Sequence, residues 1–282
     1  MKTKKTKILA ITLALIMSFT LASCGGGTPS APQGDGTEEN SADYPPVFPD
    51  DEWVAIDLAG EGITDEHLAE MVTSGEIPRN VHALDLSGNP ISDLTPLSGL
   101  VNMTALYLWE HEVADITPLG NMTYLEVLHI SSDQLSDLSV LSKLTNLHNL
   151  TISGSQISDI SPLSGLTALE QLSIGYQIRD ISPLSGLVNL RQLDIAGNHV
   201  TDITPLFGLP NLTNLSWGDA AMGSGPDGTW TAGDPLPDVD LTQLYELTNL
   251  NSVHVWWMLT QEQLSGINRA LRNTNVWGRV AW

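Results

Sequence analysis

The chain has 282 residues, with 33 acidic side chains against 11 lysines and arginines, a formal net charge of −22 and a single cysteine. Such an acidic excess excludes the positive surface that nucleic-acid binding needs, repels anionic lipid and polyphosphate, and favours a basic, divalent or neutral partner. One cysteine also excludes an intrachain disulfide.

The first residues carry Lys2, Lys4, Lys5 and Lys7, followed by an apolar run from Ile8 to Leu21 that ends in Leu21-Ala22-Ser23-Cys24. A basic start, a short apolar stretch and small residues before a cut point predict a secretory signal. The apolar run is short for a bilayer-spanning helix. Leu21-Ala22-Ser23-Cys24 resembles a bacterial lipoprotein lipobox, which implies a removable signal over 1–23 and a lipid on Cys24. It also implies residence on the extracellular face of the bacterial cell membrane. An ordinary signal peptide cut just upstream is the alternative. Residues 24–52 contain few bulky apolar groups and read as a flexible tether. Removal of the leader takes four cations and leaves seven against 33 acidic residues, a formal charge of −26.

Folded structure is expected from Trp53. Val54 to Leu58 alternate like a strand, and Thr64 stands as the N-cap of a helix whose Leu68, Met71 and Val72 share a face. Asp65 and Glu66 suit the positive end of its dipole. Residues 53–83 are accordingly read as a cap over the apolar N-terminal end of a stacked array.

A leucine pattern then returns seven times, starting at Leu84, Leu106, Leu128, Leu150, Leu172, Leu193 and Leu215, with the unit at Leu172 one residue shorter than its neighbours. In the first unit Leu84 and Leu86 alternate as a short strand, with Asp85 and Ser87 pointing the other way. Ile91, Leu94, Leu97, Leu100 and Met103 come next at intervals of three, the period of 3₁₀ or irregular turns. Pro96, Pro118, Pro162, Pro183 and Pro205 suit the first turn of each return segment, and Val140 replaces them once. Asp93, Asp115, Asp137, Asp159, Asp180 and Asp202 precede those segments. They are read as acceptors for turn N–H groups, with an acidic metal ladder as the alternative. Asn89 and Asn198, and the matching His111, Asp133 and Ser155, sit where a sharp turn must satisfy buried backbone groups.

This periodicity resembles that of leucine-rich repeats, in which each unit buries its apolar side only against its neighbours. The expected fold is an α/β leucine-rich-repeat solenoid over 84–255. Parallel strands line its concave face, 3₁₀ or irregular turns form its convex side, and helical caps close its ends. Residues 218–238 form an insertion, rich in glycine, proline and aspartate. Trp230 is read as a lid over the stack or a partner contact; Asp219, Asp227 and Asp234 lack the dense ligand spacing of a calcium loop. Over 256–282, Thr260 and Gln263 have the form of a capping box ahead of a helix carrying Leu264, Ile267 and Leu271, and a closing strand comes last. The tryptophans of this end are assigned to core and cap.

The repeated Asp-Ile-[Ser/Thr]-Pro-Leu-x-x-Leu-x-x-Leu pattern is similar to the 22-residue repeats of the internalin group of bacterial surface proteins, over roughly 84–215 and, interrupted, to about 255. Neither a sortase-type anchor nor an immunoglobulin-like domain after the repeats, which accompany the best-known members, is recognised. The resemblance implies a module that grips a protein on its concave strand face.

Strand alternation nominates the binding residues: Asp85, Tyr107, Trp109, Glu110, His129, Ser131, Thr151 and Asp194. Tyr107, Trp109, Glu110 and His129 fall on neighbouring strands about 4.8 Å apart and are expected to form one patch. Scattered exposure with the rings packed on one another is the bland alternative. No zinc-protease, serine-elbow or phosphate-loop motif is present, and a carboxylate pair such as Glu110 with Asp85 or Asp194 lacks the opposed pocket that glycoside hydrolysis requires. The expectation is a monomeric, non-enzymatic, cofactor-free module, without a resident metal, that recognises a host or bacterial surface protein. A glycan- or envelope-binding lipoprotein and an inert spacer are the alternatives.

Overall fold

The computed structural model describes residues 53–280, apart from 155, 176 and 219–238. Cys24 with its lipobox, the tether, Ser155, and the insertion with Asp219, Asp227, Trp230 and Asp234 therefore lie outside the described residues.

Among the described residues, ten strands lie side by side in chain order. They are β1 (Ala55–Asp57), β2 (Ala83–Asp85), β3 (Ala105–Leu108), β4 (Val127–Ser131), β5 (Asn149–Ser153), β6 (Gln171–Gly175), β7 (Gln192–Ala196), β8 (Asn214–Gly218), β9 (Ser252–Leu259) and β10 (Asn275–Val280). Every neighbouring pair is parallel. Between Ala83 and β9 the chain returns through short 3₁₀ turns such as Thr95–Gly99, Thr117–Asn121 and Ser139–Lys143, as the three-residue spacing requires. The leading leucine of each unit, from Leu84 to Leu215, is at most 2% exposed, and one continuous aliphatic core runs the length of the stack.

The repeated aspartates hold the backbone. Asp93, Asp115, Asp137, Asp159 and Asp180 each accept the N–H of the residue two positions on at 2.8 Å, and Asp202 does so at 2.9 Å. Asp240 repeats the motif ahead of the turn Leu241–Glu246, accepting from Thr242 at 2.9 Å. The backbone N–H groups of Ser139 and Ser182 hold the carboxyls of Asp137 and Asp180 below the usual carboxylate range.

Asn89 donates to the carbonyls of Leu58 and Leu86 at 2.8 and 2.6 Å and accepts from Ile63 N–H at 2.8 Å. Asn198 does the same with Ile174, Ile195 and Ile178, and thereby spans the short unit, where β6 and β7 stay in register over only three residue pairs. His111, at the equivalent position, is buried with neither ring nitrogen in hydrogen-bonding geometry. At Asp133 the strand alternation runs on. The backbone of Ser132 still donates to Ser153 at 2.9 Å, so alternation continues past Ile130, turning Ser132 inward and Asp133 out to solvent.

A second asparagine series escapes the leucine pattern. Asn146, Asn189, Asn211 and Asn249 donate to Thr123, Thr167, Val188 and Pro210 of the preceding coil, at 2.8 to 3.2 Å. At one end, helix α1 (Asp65–Ser74) starts at Thr64, whose hydroxyl accepts from His67 N–H, stops at left-handed Gly75 and packs on the first return turn. At the other, α2 (Gln261–Ala270) opens with the Thr260–Gln263 capping box and packs against the Leu241–Glu246 turn and β10.

Candidate functional site

Parallel pairing sorts the outward side chains of the sheet into rows. One row reads Asp57, Asp85, Tyr107, His129, Thr151, Ser173, Asp194, Ser216, His254 and Trp277. A second row, two residues earlier, changes character along the stack. Ala55, Ala83, Ala105 and Val127 occupy its first four places, and Asn149, Gln171, Gln192 and Asn214 the next four. The strand face is thus divided into an apolar floor and an amide floor.

Over the apolar floor the structure brings together three of the expected residues. Tyr107 packs on the alanines and Val127. Its ring meets His129 edge-on at 5.0 Å, and Trp109 meets the same imidazole at 5.4 Å. Both aromatics are half-buried, so Trp109 lies on the face and not within the stack. Burial pushes the His129 pKa below its ordinary value, against the opposing pull of Asn149 and Asp85. The neutral ring presents Nε2 to Asn149 Oδ1 at 3.3 Å, and Asn149 Nδ2 donates to Gln171 Oε1 at 3.2 Å. Burial, and secondarily the charge of Asp85, raises the pKa of Tyr107, which keeps its hydroxyl a donor.

Glu110 stands exposed beside this group and is the one described non-glycine residue with positive φ, at 61°. The corresponding places in other coils are Gly88 and Gly197, at φ 68° and 79°. A side chain here accepts strain that glycine avoids. Asp85 accepts from Ser87 N–H at 2.9 Å, Asp194 from Ala196 N–H at 3.0 Å, and Ser131 from the Ser153 hydroxyl at 2.9 Å. Asp194 on β7 lies four strands, each spacing about 4.8 Å, from β3, after which Glu110 follows, which disqualifies Glu110 with Asp194 as a catalytic pair.

Over the amide floor lies a depression of about 280 Å³, lined by Asn149, Thr151, Gln171, Ser173, Gln192, Asp194, Asn214, Ser216 and His254 among others. Of these, only Thr151 and Asp194 belong to the expected set. Beyond it stand Trp256 and Trp277, 44% and 60% exposed. The assignment of this end's tryptophans to the core is therefore corrected for these two. Val253, Val255 and Val276 face inward, and strict alternation turns Trp256 and Trp277 outward. Trp217, by contrast, is fully buried and donates Nε1–H to the Val200 carbonyl at 2.8 Å.

Residues 123–165 and 145–186 match a family model for leucine-rich repeats. Internalin C2 from Listeria monocytogenes is similar in structure, with a TM-score of 0.55 and 28% identity over 72% of this chain and 79% of that one. The fold is a leucine-rich-repeat solenoid of internalin-like build. The functional domain of InlJ from the same organism shares the fold, with a TM-score of 0.50 and 17% identity over 80% of this chain and 53% of that one. An internalin F structure from Listeria monocytogenes covers 81% of this chain and 82% of its own, with a TM-score of 0.42 and 25% identity. No curated protein matches the sequence. Leucine-rich-repeat solenoids of this build are typically protein-binding modules and generally not enzymes.

Proposed function

We propose that this solenoid is a lipid-anchored module on the outer face of a bacterial membrane, which binds a protein through its strand face without catalysing a reaction. The observation that carries the reading is the Tyr107–Trp109–His129 group, an aromatic cluster half-buried on an open face. Large amphipathic rings already immobilised by packing lose little entropy on binding, and tyrosine and tryptophan are the residues that most often anchor interfaces. Glu110 extends the patch from a backbone strained for it, and Asp85, Ser131, Thr151 and Asp194 supply polar contacts around and beyond it. The acidic field favours a partner with a basic surface.

The test is recovery of a saturable partner from host or bacterial surface fractions, followed by titration against Tyr107→Ala and Trp109→Ala. Each substitution is expected to weaken binding by about 2 kcal/mol, roughly 30-fold. Unchanged affinity in both variants rejects the patch, and the lack of any saturable partner rejects the reading.

A further inference from the structure

We propose that the opposite half of the strand face is a separate binding site for a neutral oligosaccharide, held over the amide floor and stacked on Trp256 and Trp277. The site goes beyond the protein-binding reading: it shares Thr151 and Asp194 with that surface but not its Tyr107–Trp109–His129 group.

Its lining is unusual for a small-ligand pocket, which is ordinarily dominated by apolar and aromatic groups. Here the four amides of Asn149, Gln171, Gln192 and Asn214 run across consecutive strands, with hydroxyls, one carboxylate and His254 beside them. Each amide offers donors and an acceptor in one plane, which matches adjacent sugar hydroxyls that both give and accept. Much of this capacity is unspent. Among the described residues, the side chains of Thr151, Ser173 and Gln192 make no hydrogen bond. Among the described residues no lysine or arginine lines the depression and Asp194 is its one carboxylate, which suits a neutral ligand. An apolar ligand would leave the polar floor unpaired, which is costly for each group it buries. A folded protein partner needs an apolar centre to its contact, whereas here the centre is the amide floor and the indoles stand at its edge.

The indoles supply the complement, since a pyranose presents flat C–H faces as well as hydroxyl edges. Trp256 is held, not merely exposed. Its Nε1–H donates to Ser216 Oγ at 2.8 Å. Its backbone lies so close to Gly218 that a Cβ there would meet Trp256 N at 2.8 Å and Cα at 2.9 Å. Gly218, at φ 153°, is therefore required for the approach. Trp277 stacks on His254 with 11° between planes and a centroid distance of 6.1 Å, and His254 reaches the depression. At about 280 Å³ the depression is close to the ~300 Å³ lower limit of ligand pockets, a size for a short stretch of saccharide with its neighbours on the flanking rings.

The full chain is titrated with maltohexaose, cellohexaose and N-acetylchitohexaose, read by tryptophan emission and by calorimetry. At least one hexaose is expected to give a saturable response. Trp256→Ala and Trp277→Ala are each expected to weaken it at least 10-fold, with Gln192→Ala giving a several-fold loss and Trp109→Ala no change. Gln192→Ala removes no packing, so it remains informative if a tryptophan variant misfolds. No saturable hexaose, binding indifferent to Trp256, Trp277 and Gln192, or binding abolished by Trp109→Ala overturns the site. Trp256-dependent capture of a protein with no hexaose response overturns the carbohydrate assignment. Because Tyr107 and Trp109 take no part, failure here leaves the protein-binding patch untouched, and the reverse.

Discussion

His111 shows how one residue can violate a rule its neighbours obey. Asn89 satisfies three backbone groups, whereas the imidazole at the same place satisfies none of its own ring nitrogens. Burial, outweighing the pull of the Asn89 and Leu86 backbone, lowers the His111 pKa, as burial also lowers that of His129. A folded-state pKa below the unfolded value of about 6.5 means that the unfolded chain binds the proton first on acidification. The stability is complete above that value and is lost progressively as pH falls below it. His111→Asn is therefore expected to stabilise the fold by about 1–2 kcal/mol at pH 7 and to flatten the decline between pH 7 and 5.5. Chemical denaturation at a series of pH values checks both, and an unchanged or steeper decline contradicts the account.

At the scale of the coil, stability passes between adjacent units, because each buries its aliphatic side only against its neighbours. Leu163 is fully buried in the middle of the stack. Leu163→Ala is expected to cost about 3–4 kcal/mol in global unfolding. Hydrogen exchange should lose protection first in β5, β6 and β7, with α1 and α2 affected least. Uniform loss would contradict nearest-neighbour coupling. The same periodicity explains what was legible in the sequence. Leucine phase predicted the coils, and aspartate spacing predicted the Asx turns. It did not reveal that strands start one residue before the leading leucine, because that position varies from alanine to glutamine and carries no repeat. The amide floor was missed for this reason. Trp256 and Trp277 carried a readable cue, the alternation Ser252-Val253-His254-Val255-Trp256 and Asn275-Val276-Trp277, overridden by the general tendency of tryptophan to be buried. The tertiary contact of His129 with both Tyr107 and Trp109 was foreseeable because strand neighbours in a parallel stack are coil neighbours in sequence.

For the whole molecule, charge bears on the proposed attachment to a membrane. The described residues contain no helix long and apolar enough to span one. With seven cations against 33 acidic residues once the expected leader is removed, the chain would gain nothing from an anionic lipid surface. Attachment is thus expected to depend wholly on lipid at Cys24. Cys24→Ser should leave the chain in the soluble fraction of cells at both low and high ionic strength. Retention of the variant in washed membranes, or release of the unaltered chain by salt alone, would refute lipid anchoring as the holding force.

The parallel register makes the stack a ruler. The Tyr107–His129 pair and the His254–Trp277 pair sit on strands separated by the intervening units, so the interval between the two proposed sites is counted in coils. Gain or loss of one repeat would shift that interval by a fixed step of about 4.8 Å while leaving the chemistry at either end intact. A lineage can therefore retune the span between two grips by copying or deleting a single unit, without redesigning either one.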